Sequence, residues 1–368
     1  MNQYKIPFNN LYSQYEELQN EIDESIKTII KNSDFLTGKT TEEFEKAICE
    51  YTGAEDCASM SSGSDSIIAA LKALNIGPND QVLTVGHTFL STTESILNVG
   101  AEPIFIDIDE FYLLDISQFK KTDRLKAILF VDLYGQTPDI DKIKSFAKEF
   151  NLKVIEDAAQ SFGSDYKGKK VGSLVDLTCF SFNPLKNLGA MGDAGAVTGK
   201  KEYIDKVKQI RNHGRGKSNK IIEGYNSRID NIQAVILKQK LKKIDNWIDK
   251  KRIVCQRYTK ELNSVVNCPK ETSWSKHTYY VYVIEVPNGT RDRLKNYLQE
   301  RSIETKIHYI NSTHKLSYIK NKVKLPKTEY MSKNILSLPC YHDMTKLYQQ
   351  IVIDSIKEFY NNEKNTIS

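Results

Sequence analysis

The sequence predicts an α/β fold, with a mainly parallel central sheet in a large domain and a smaller α+β domain at the C-terminal end. Three observations carry this. Helix-type and strand-type segments alternate from about residue 40 to about residue 200, the pattern of a parallel sheet covered by helices. The chain has 368 residues, more than one compact core usually holds, so a second, smaller domain is expected. Beyond Asp230 the pattern changes to a long helix and then to mixed elements. That change puts the large domain, with an N-terminal arm, at 1–235 and the small domain at 236–368.

The first helix opens at Thr40, where Thr40 and Glu43 have the spacing of a capping box. Phe44, Ala47, Ile48 and Tyr51 follow at helical spacing before Gly53 closes it. A second helix runs from Ser64 through Ile67, Ile68, Leu71 and Leu74 to Gly77. Short apolar runs between breakers read as strands: Gln81 to Val85, Pro103 to Asp107, Ala127 to Val131, Val154 to Ile155 and Leu177 to Ser181. Between the third and fourth, Ile140, Ile143, Phe146, Ala147 and Phe150 form an amphipathic helix. The resulting β-α-β unit delivers Asp157 to the carboxyl edge of the sheet, where open α/β sheets bind their ligands. From Asp230 a long helix carries Ile232, Val235, Ile236, Leu241, Ile244 and Ile248 on its apolar side and Lys238, Lys240, Lys242 and Lys243 on a solvated face. Tyr279 to Val286 then reads as strand and Arg291 to Arg301 as helix.

Composition narrows the function classes. Hydrophobic residues make up 40% and charged residues 27%, the balance of a soluble globular enzyme. The net charge of +5 arises from 52 basic and 47 acidic side chains interleaved along the chain, which argues against a nucleic-acid partner. No stretch reaches the roughly 20 apolar residues that span a bilayer, and Met1 to Phe8 is polar, so a cytoplasmic protein without a membrane partner is expected. The six cysteines are scattered without a Cys-x-x-Cys pair or zinc-finger histidines, which points to free, mostly buried thiols and no metal.

Three segments carry chemistry together. In Ser181-Phe182-Asn183-Pro184-Leu185-Lys186-Asn187-Leu188-Gly189, a lysine sits on a Gly- and Pro-rich turn just past a buried strand, where scaffolded backbone positions it. Desolvation there lowers a lysine pKa toward the neutral, nucleophilic state. Upstream, Val154-Ile155-Glu156-Asp157-Ala158-Ala159-Gln160 ends a strand on a carboxylate, which can pair with a protonated pyridine nitrogen. Gln160 can donate to a phenolic oxygen. Ser61-Ser62-Gly63-Ser64-Asp65 precedes a helix, and small residues at a helix N-terminus suit a phosphate. Each pattern alone also fits a structural role: a surface lysine beside a turn, a capping aspartate, an N-cap at Ser64. Their combination points to a phosphorylated pyridine cofactor.

With these segments and Gly224-Tyr225-Asn226-Ser227-Arg228, the chain resembles the DegT/DnrJ/EryC1/StrS sugar aminotransferases, fold-type I enzymes that use pyridoxal 5'-phosphate. The resemblance spans Ile6-Pro7-Phe8 to Thr305-Lys306-Ile307-His308-Tyr309. It implies Lys186 as the Schiff-base lysine, Asp157 as the pyridinium partner and Gln160 at the cofactor hydroxyl. It further implies Gly63, Ser64 and Ser181 around the phosphate, Phe89 over the ring, and Asn226 reaching the phosphate of the other subunit in a homodimer with shared sites. Arg211, His213, Arg228, His308 and Tyr309 are the candidates for the substrate pocket, with Arg211 and Arg228 open either to a diphosphate or to structural ion pairs. The implied reaction is a ping-pong transfer from glutamate to a nucleotide-linked keto sugar, for an amino-deoxy sugar of a surface glycan or glycosylated product. The Gly-Tyr-Asn-Ser-Arg stretch resembles members acting at C-3 of dTDP-linked 3-keto-6-deoxyhexoses, with C-4 amination and a non-catalytic binding or regulatory member as the alternatives. Lys186 sets the chain apart from relatives that carry histidine there and act as dehydratases. Ala194, where many relatives have Gly, and Asn311-Ser312 after Ile310 depart from the family pattern.

Overall fold

The computed structural model describes residues 5–119, 121–216 and 220–367; the first four residues of the polar start lie outside it. Two helices, α1 (Leu11–Glu16) and α2 (Gln19–Asn32), lead into α3 (Lys39–Thr52). There follow β1 (Asp56–Met60), α4 (Gly63–Ala73), β2 (Gln81–Val85), α5 (Leu90–Asn98), β3 (Glu102–Ile106), β4 (Leu125–Val131), α6 (Ile140–Glu149) and β5 (Lys153–Asp157). A small hairpin of β6 (Asp165–Tyr166) and β7 (Lys169–Lys170) precedes β8 (Leu177–Ser181), β9 (Gly195–Gly199) and α7 (Lys201–Ile210). The C-terminal part holds α8 (Asn231–Leu241), α9 (Ile244–Leu262), β10 (Tyr282–Glu285), α10 (Arg291–Glu300), α11 (Pro326–Asn334), β11 (Ile335–Leu338) and α12 (Lys346–Ile367).

The large sheet has seven strands in the order β1-β9-β8-β5-β4-β2-β3. β3, β2, β4, β5 and β8 pair in parallel, and β9 runs antiparallel to both β8 and β1. Alternation along the strands feeds two faces: Leu83, Ile128 and Phe130 pack with α6, while Val82, Ala127 and Leu129 pack with α4 and α7. Because both faces are covered, the strands read in sequence as continuous apolar runs. No described helix is long and apolar enough to cross a membrane.

Helix ends depart from expectation in three places. α3 begins at Lys39 behind Gly38, whose φ of 78° only glycine adopts freely, and has no side-chain cap. Thr40 donates instead to Asp34 at 2.5 Å and Glu43 pairs with Lys238 at 2.7 Å, so the capping box does not form. α4 is capped by Ser62, whose Oγ accepts from the Asp65 N–H at 3.1 Å, rather than by Ser64. It also ends before Gly77, with Asn75 taking the left-handed position. Gly53 closes α3 as predicted, its N–H donating to Cys49 O at 2.8 Å.

The single long helix from Asp230 is two. The N–H groups of Lys242 and Lys243 bond three residues back, to Gln239 and Lys240, and this tightened turn separates α8 from α9. α8 lacks a one-sided apolar stripe because it is buried on two sides: Ala234 and Leu237 face Phe182 and Ala194, while Ile236 faces Leu18, Ile22 and Trp247. Lys240 is therefore not on a solvated face. It is buried and donates to Gly189 O at 2.7 Å and Gln14 Oε1 at 3.1 Å. Ile244 and Ile248 of α9 pack with the large-sheet layer, whereas Val254, Cys255, Tyr258 and Leu262 join β10, β11, α10 and α12. Ile6 also belongs to this second core, bridged to Ile303. The cysteines are free, four of them buried, and folding brings Cys255 and Cys340 together at 3.1 Å between sulfurs.

Candidate active site

The carboxyl ends of β5 and β8 and the N-termini of α4 and α5 converge on Lys186. The lysine lies in the β8–β9 connection, half-buried, its backbone N–H donating to Asn183 O at 2.8 Å in a tight turn. Its Nζ lies over the Tyr280 ring, 4.5 Å from the centroid. Burial pushes its pKa down to about 8, with the Asp157 carboxylate pulling the other way. Asp157 ends β5 and is buried. Its Oδ2 accepts from Thr92 Oγ1 at 2.7 Å and its Oδ1 from the Ala159 N–H at 3.2 Å. Burial pushes Asp157 up against these donors and Lys186. A carboxylate in that condition gains most when a cation arrives beside it.

Gln160 is held by both ends of its amide. Its Oε1 accepts from the Tyr134 N–H at 2.8 Å, and its Nε2 donates to Tyr309 Oη at 2.9 Å. Tyr309 also packs against Phe89, at 5.8 Å between centroids; Phe89 stands 51% exposed ahead of α5, at the rim rather than in a core. His308 bonds Ser337 Oγ through Nδ1 at 2.8 Å, and burial together with Lys186 and Lys306 pushes it down to about 4, so its ring is neutral. Tyr134 Oη bridges the His308 carbonyl and His87 Nε2.

At the start of α4, Gly63 and Ser64 are the first helical residues, so their N–H groups have no acceptor within the helix. A Cβ built on Gly63 would stand 2.6 Å from Ser181 Cβ, and Ser64 Oγ accepts from Ser91 Oγ at 2.5 Å. Gly63 is thus required by the close approach of β8, and the result is a small polar cradle at a helix N-terminus, the geometry that accepts a phosphate. Cradle, buried carboxylate and deprotonatable lysine together fit a phosphorylated pyridine aldehyde.

Four predicted residues lie apart from this cluster. Arg211 takes the ion-pair option, its Nη1 bonded to Glu45, with Ser59 O at 2.6 Å, which ties the guanidinium to α3 and β1 and away from a diphosphate. His213 is exposed on a hairpin, its N–H donating to Tyr225 O at 3.1 Å. Asn226 is exposed and accepts from Arg228 Nε at 3.1 Å, while its neighbours Tyr225 and Ser227 bond Asp65. Sequence reasoning missed Thr92, Tyr134 and Tyr280. The i,i+4 pair Thr88 and Thr92, bonded at 2.8 Å, was the available signal for the first; for Tyr280, one of three tyrosines in the run Tyr279 to Val286 and lying ahead of β10 in the structure, there was none.

Beneath the site lies a buried acid pair. Asp132 Oδ2 accepts from Ser161 Oγ at 2.6 Å and Glu156 Oε2 from Thr178 Oγ1 at 2.7 Å. The remaining oxygens, Oδ1 and Oε1, are buried without a donor among the described residues, and the two carboxyls are hydrogen-bonding neighbours. A proton shared between the two carboxyls would satisfy both oxygens. Burial pushes both acids up.

Fold and site together define an enzyme that holds a cofactor against a lysine at the edge of a parallel sheet. The model of the DegT/DnrJ/EryC1/StrS aminotransferase family matches residues 16–357, and the chain belongs to that family. Its aminotransferases depend on pyridoxal phosphate. The chain is 38% identical to a pleiotropic regulatory protein of Geobacillus stearothermophilus, over 96% of its own length and 98% of the relative's. It is 34% identical to UDP-N-acetyl-3-dehydro-alpha-D-glucosamine 3-aminotransferase of Acidithiobacillus ferrooxidans, over 92% and 94% of the two chains. A DegT/DnrJ/EryC1/StrS aminotransferase from Brucella abortus matches in structure with a TM-score of 0.93 at 31% identity, covering 96% of this chain and 99% of that one.

Proposed function

We propose that the chain transfers an amino group from glutamate to C-3 of a dTDP-linked 3-keto-6-deoxyhexose, acting in the cytoplasm as a homodimer with two shared sites. The observation that carries the chemistry is Lys186, half-buried with a pKa near 8 and acted on by the charge of the buried Asp157. Pyridoxal phosphate, when bound, supplies the carbon that carries the nitrogen and a ring that draws off electron density. Asp157 holds the proton on the ring nitrogen. Lys186, with both protonation states accessible close to neutral pH, would act as the base that takes the donor's α-proton in the first half-reaction and as the acid that delivers a proton to the acceptor's reacting carbon in the second. Gln160 spends one amide hydrogen on Tyr309 and would offer the other to the ring hydroxyl. Gly63, Ser64 and Ser181 would hold the phosphate and Phe89 would lie against the ring. His308 and Tyr309 border the sugar, while Arg228 and His213, on the segments that flank the exposed Asn226, meet the nucleotide across the subunit interface, where Asn226 reaches the phosphate.

The choice of C-3 rests on the Gly224-Tyr225-Asn226-Ser227-Arg228 stretch and on the 34% identical relative named as a 3-aminotransferase. Its substrate is UDP-linked, so the nucleotide is the finer point at issue. Purified protein loaded with pyridoxal phosphate, given glutamate and a panel of 3-keto and 4-keto sugars on dTDP and UDP, tests the proposal by NMR of the isolated product. A 3-amino dTDP sugar is expected. Efficient amination at C-4 overturns the regiochemistry, preference for UDP overturns the nucleotide, and full turnover by Lys186→Ala overturns the site.

A further inference from the structure

We propose that Tyr280 is a further catalytic residue, whose ring face seats the Lys186 ammonium whenever that lysine is free of the cofactor. The inference rests on the assignment of Lys186 made above. Lys186 Nζ stands 4.5 Å from the Tyr280 centroid, within cation–π reach. The ring is held from its backbone: the Tyr280 N–H donates to Tyr134 O at 2.8 Å, and its carbonyl accepts from Lys251 Nζ at 2.9 Å. Burial pushes the Tyr280 phenol up to about 12, so it meets the ammonium as a neutral ring and not as a phenolate.

The surroundings leave the ammonium little else. Asp157, from β5, is the carboxylate that acts on Lys186. Once a pyridinium engages Asp157, that charge is committed. His308, from the segment after α10, is neutral, held down by burial and by the charge of Lys186 itself, so it offers the ammonium no counter-charge. Lys251 from α9 and His342 after β11 line the same cavity of about 20 Å³ beneath Lys186, and burial pushes both down. With Asp157 committed to the cofactor, the face of Tyr280 is the group that the structure sets directly against the charged lysine.

The test uses enzyme loaded with pyridoxamine 5'-phosphate, in which Lys186 carries no cofactor carbon. The pH dependence of acetic-anhydride labelling, read on the Lys186 peptide by mass spectrometry, reports the acidity of the amine. Tyr280→Phe keeps the face and should leave the labelling midpoint unchanged. Tyr280→Leu should lower it by about one unit, roughly tenfold more free amine at a given pH, or about 1.4 kcal/mol. If Tyr280→Leu does not fold, fluorinated phenylalanines at position 280 keep the size while weakening the face, and the midpoint should fall stepwise with fluorine number. An unchanged midpoint in Tyr280→Leu or across the fluorinated series overturns the proposal, as does an equal fall in Tyr280→Phe, which would assign the effect to the hydroxyl. Turnover by Lys186→Ala, by contrast, would remove the assignment of Lys186 itself.

Discussion

Substituting Gly63 by alanine tests the cradle directly. The new Cβ would stand 2.6 Å from Ser181 Cβ and 3.1 Å from its Oγ, where ordinary contact begins at 3.4 Å. The start of α4 and the end of β8 must therefore part by nearly an ångström. Overpacking of this kind costs about 1–3 kcal/mol. Alanine's better helix propensity, at most about 1 kcal/mol, offsets only part of it. Both elements flank the proposed phosphate position, so the strain falls on cofactor binding, and a loss of about 5- to 150-fold in affinity follows from the same range. Equilibrium dialysis of the apoprotein with pyridoxal phosphate measures this, with phosphate-free pyridoxal as the control that should change little. Wild-type affinity in Gly63→Ala, or an equal loss for pyridoxal, would refute the placement of the phosphate.

Three further outcomes are expected. Asp157→Asn should keep the fold and lose several orders of magnitude in turnover, because a neutral amide does not hold a proton on the ring nitrogen; a loss under about tenfold, roughly 1.4 kcal/mol, contradicts the pairing. Glu156 rises from 4.5 to about 7 on folding, so the folded state binds the extra proton and wild-type stability declines as pH climbs through that window. Glu156→Gln removes this titration, so its Tm relative to wild type should rise between pH 5 and pH 8, and a difference independent of pH argues against the shared proton. Finally, hybrids of a Lys186→Ala subunit with one inactivated at Asn226 should regain activity, since one of the two sites then holds both native residues; no recovery in proven hybrids counts against a shared site.

Much of the site was legible because its residues lie at chain landmarks. Asp157 ends a strand, Lys186 follows one and Gly63 opens a helix, and each position is marked by a change of hydrophobic period or a breaker. Leu177–Ser181 and Gln81–Val85 were bounded correctly because breakers flank fully buried apolar runs. What escaped depends on tertiary partners. Lys240 reads as one more lysine on a basic helix, and only the N-terminal helices and the Gly189 carbonyl make it interior. β1 and β9 were passed over because Asp-Cys-Ala-Ser-Met and Gly-Ala-Val-Thr-Gly hold few large apolar residues, Gly195 being set by the close approach of Ser62 ahead of α4. Arg211 could not be assigned from sequence, since Glu45 and Ser59 lie far from it along the chain.

The bridge between Ile6 and Ile303 has a bearing on how the chain is made. Ile6 donates to Ser302 O at 3.1 Å and accepts from the Glu304 N–H at 3.0 Å, and the Phe8 N–H reaches Glu304 Oε2 at 2.8 Å. On the ribosome, residue 6 emerges long before its partners near 303, so Ile6 must wait unpaired while the entire sheet is synthesised beside it. The second core is completed only when Ile6 and the segments from Val254 to Tyr360 are present at once, and a chain stalled short of that point leaves Ile6 without its core.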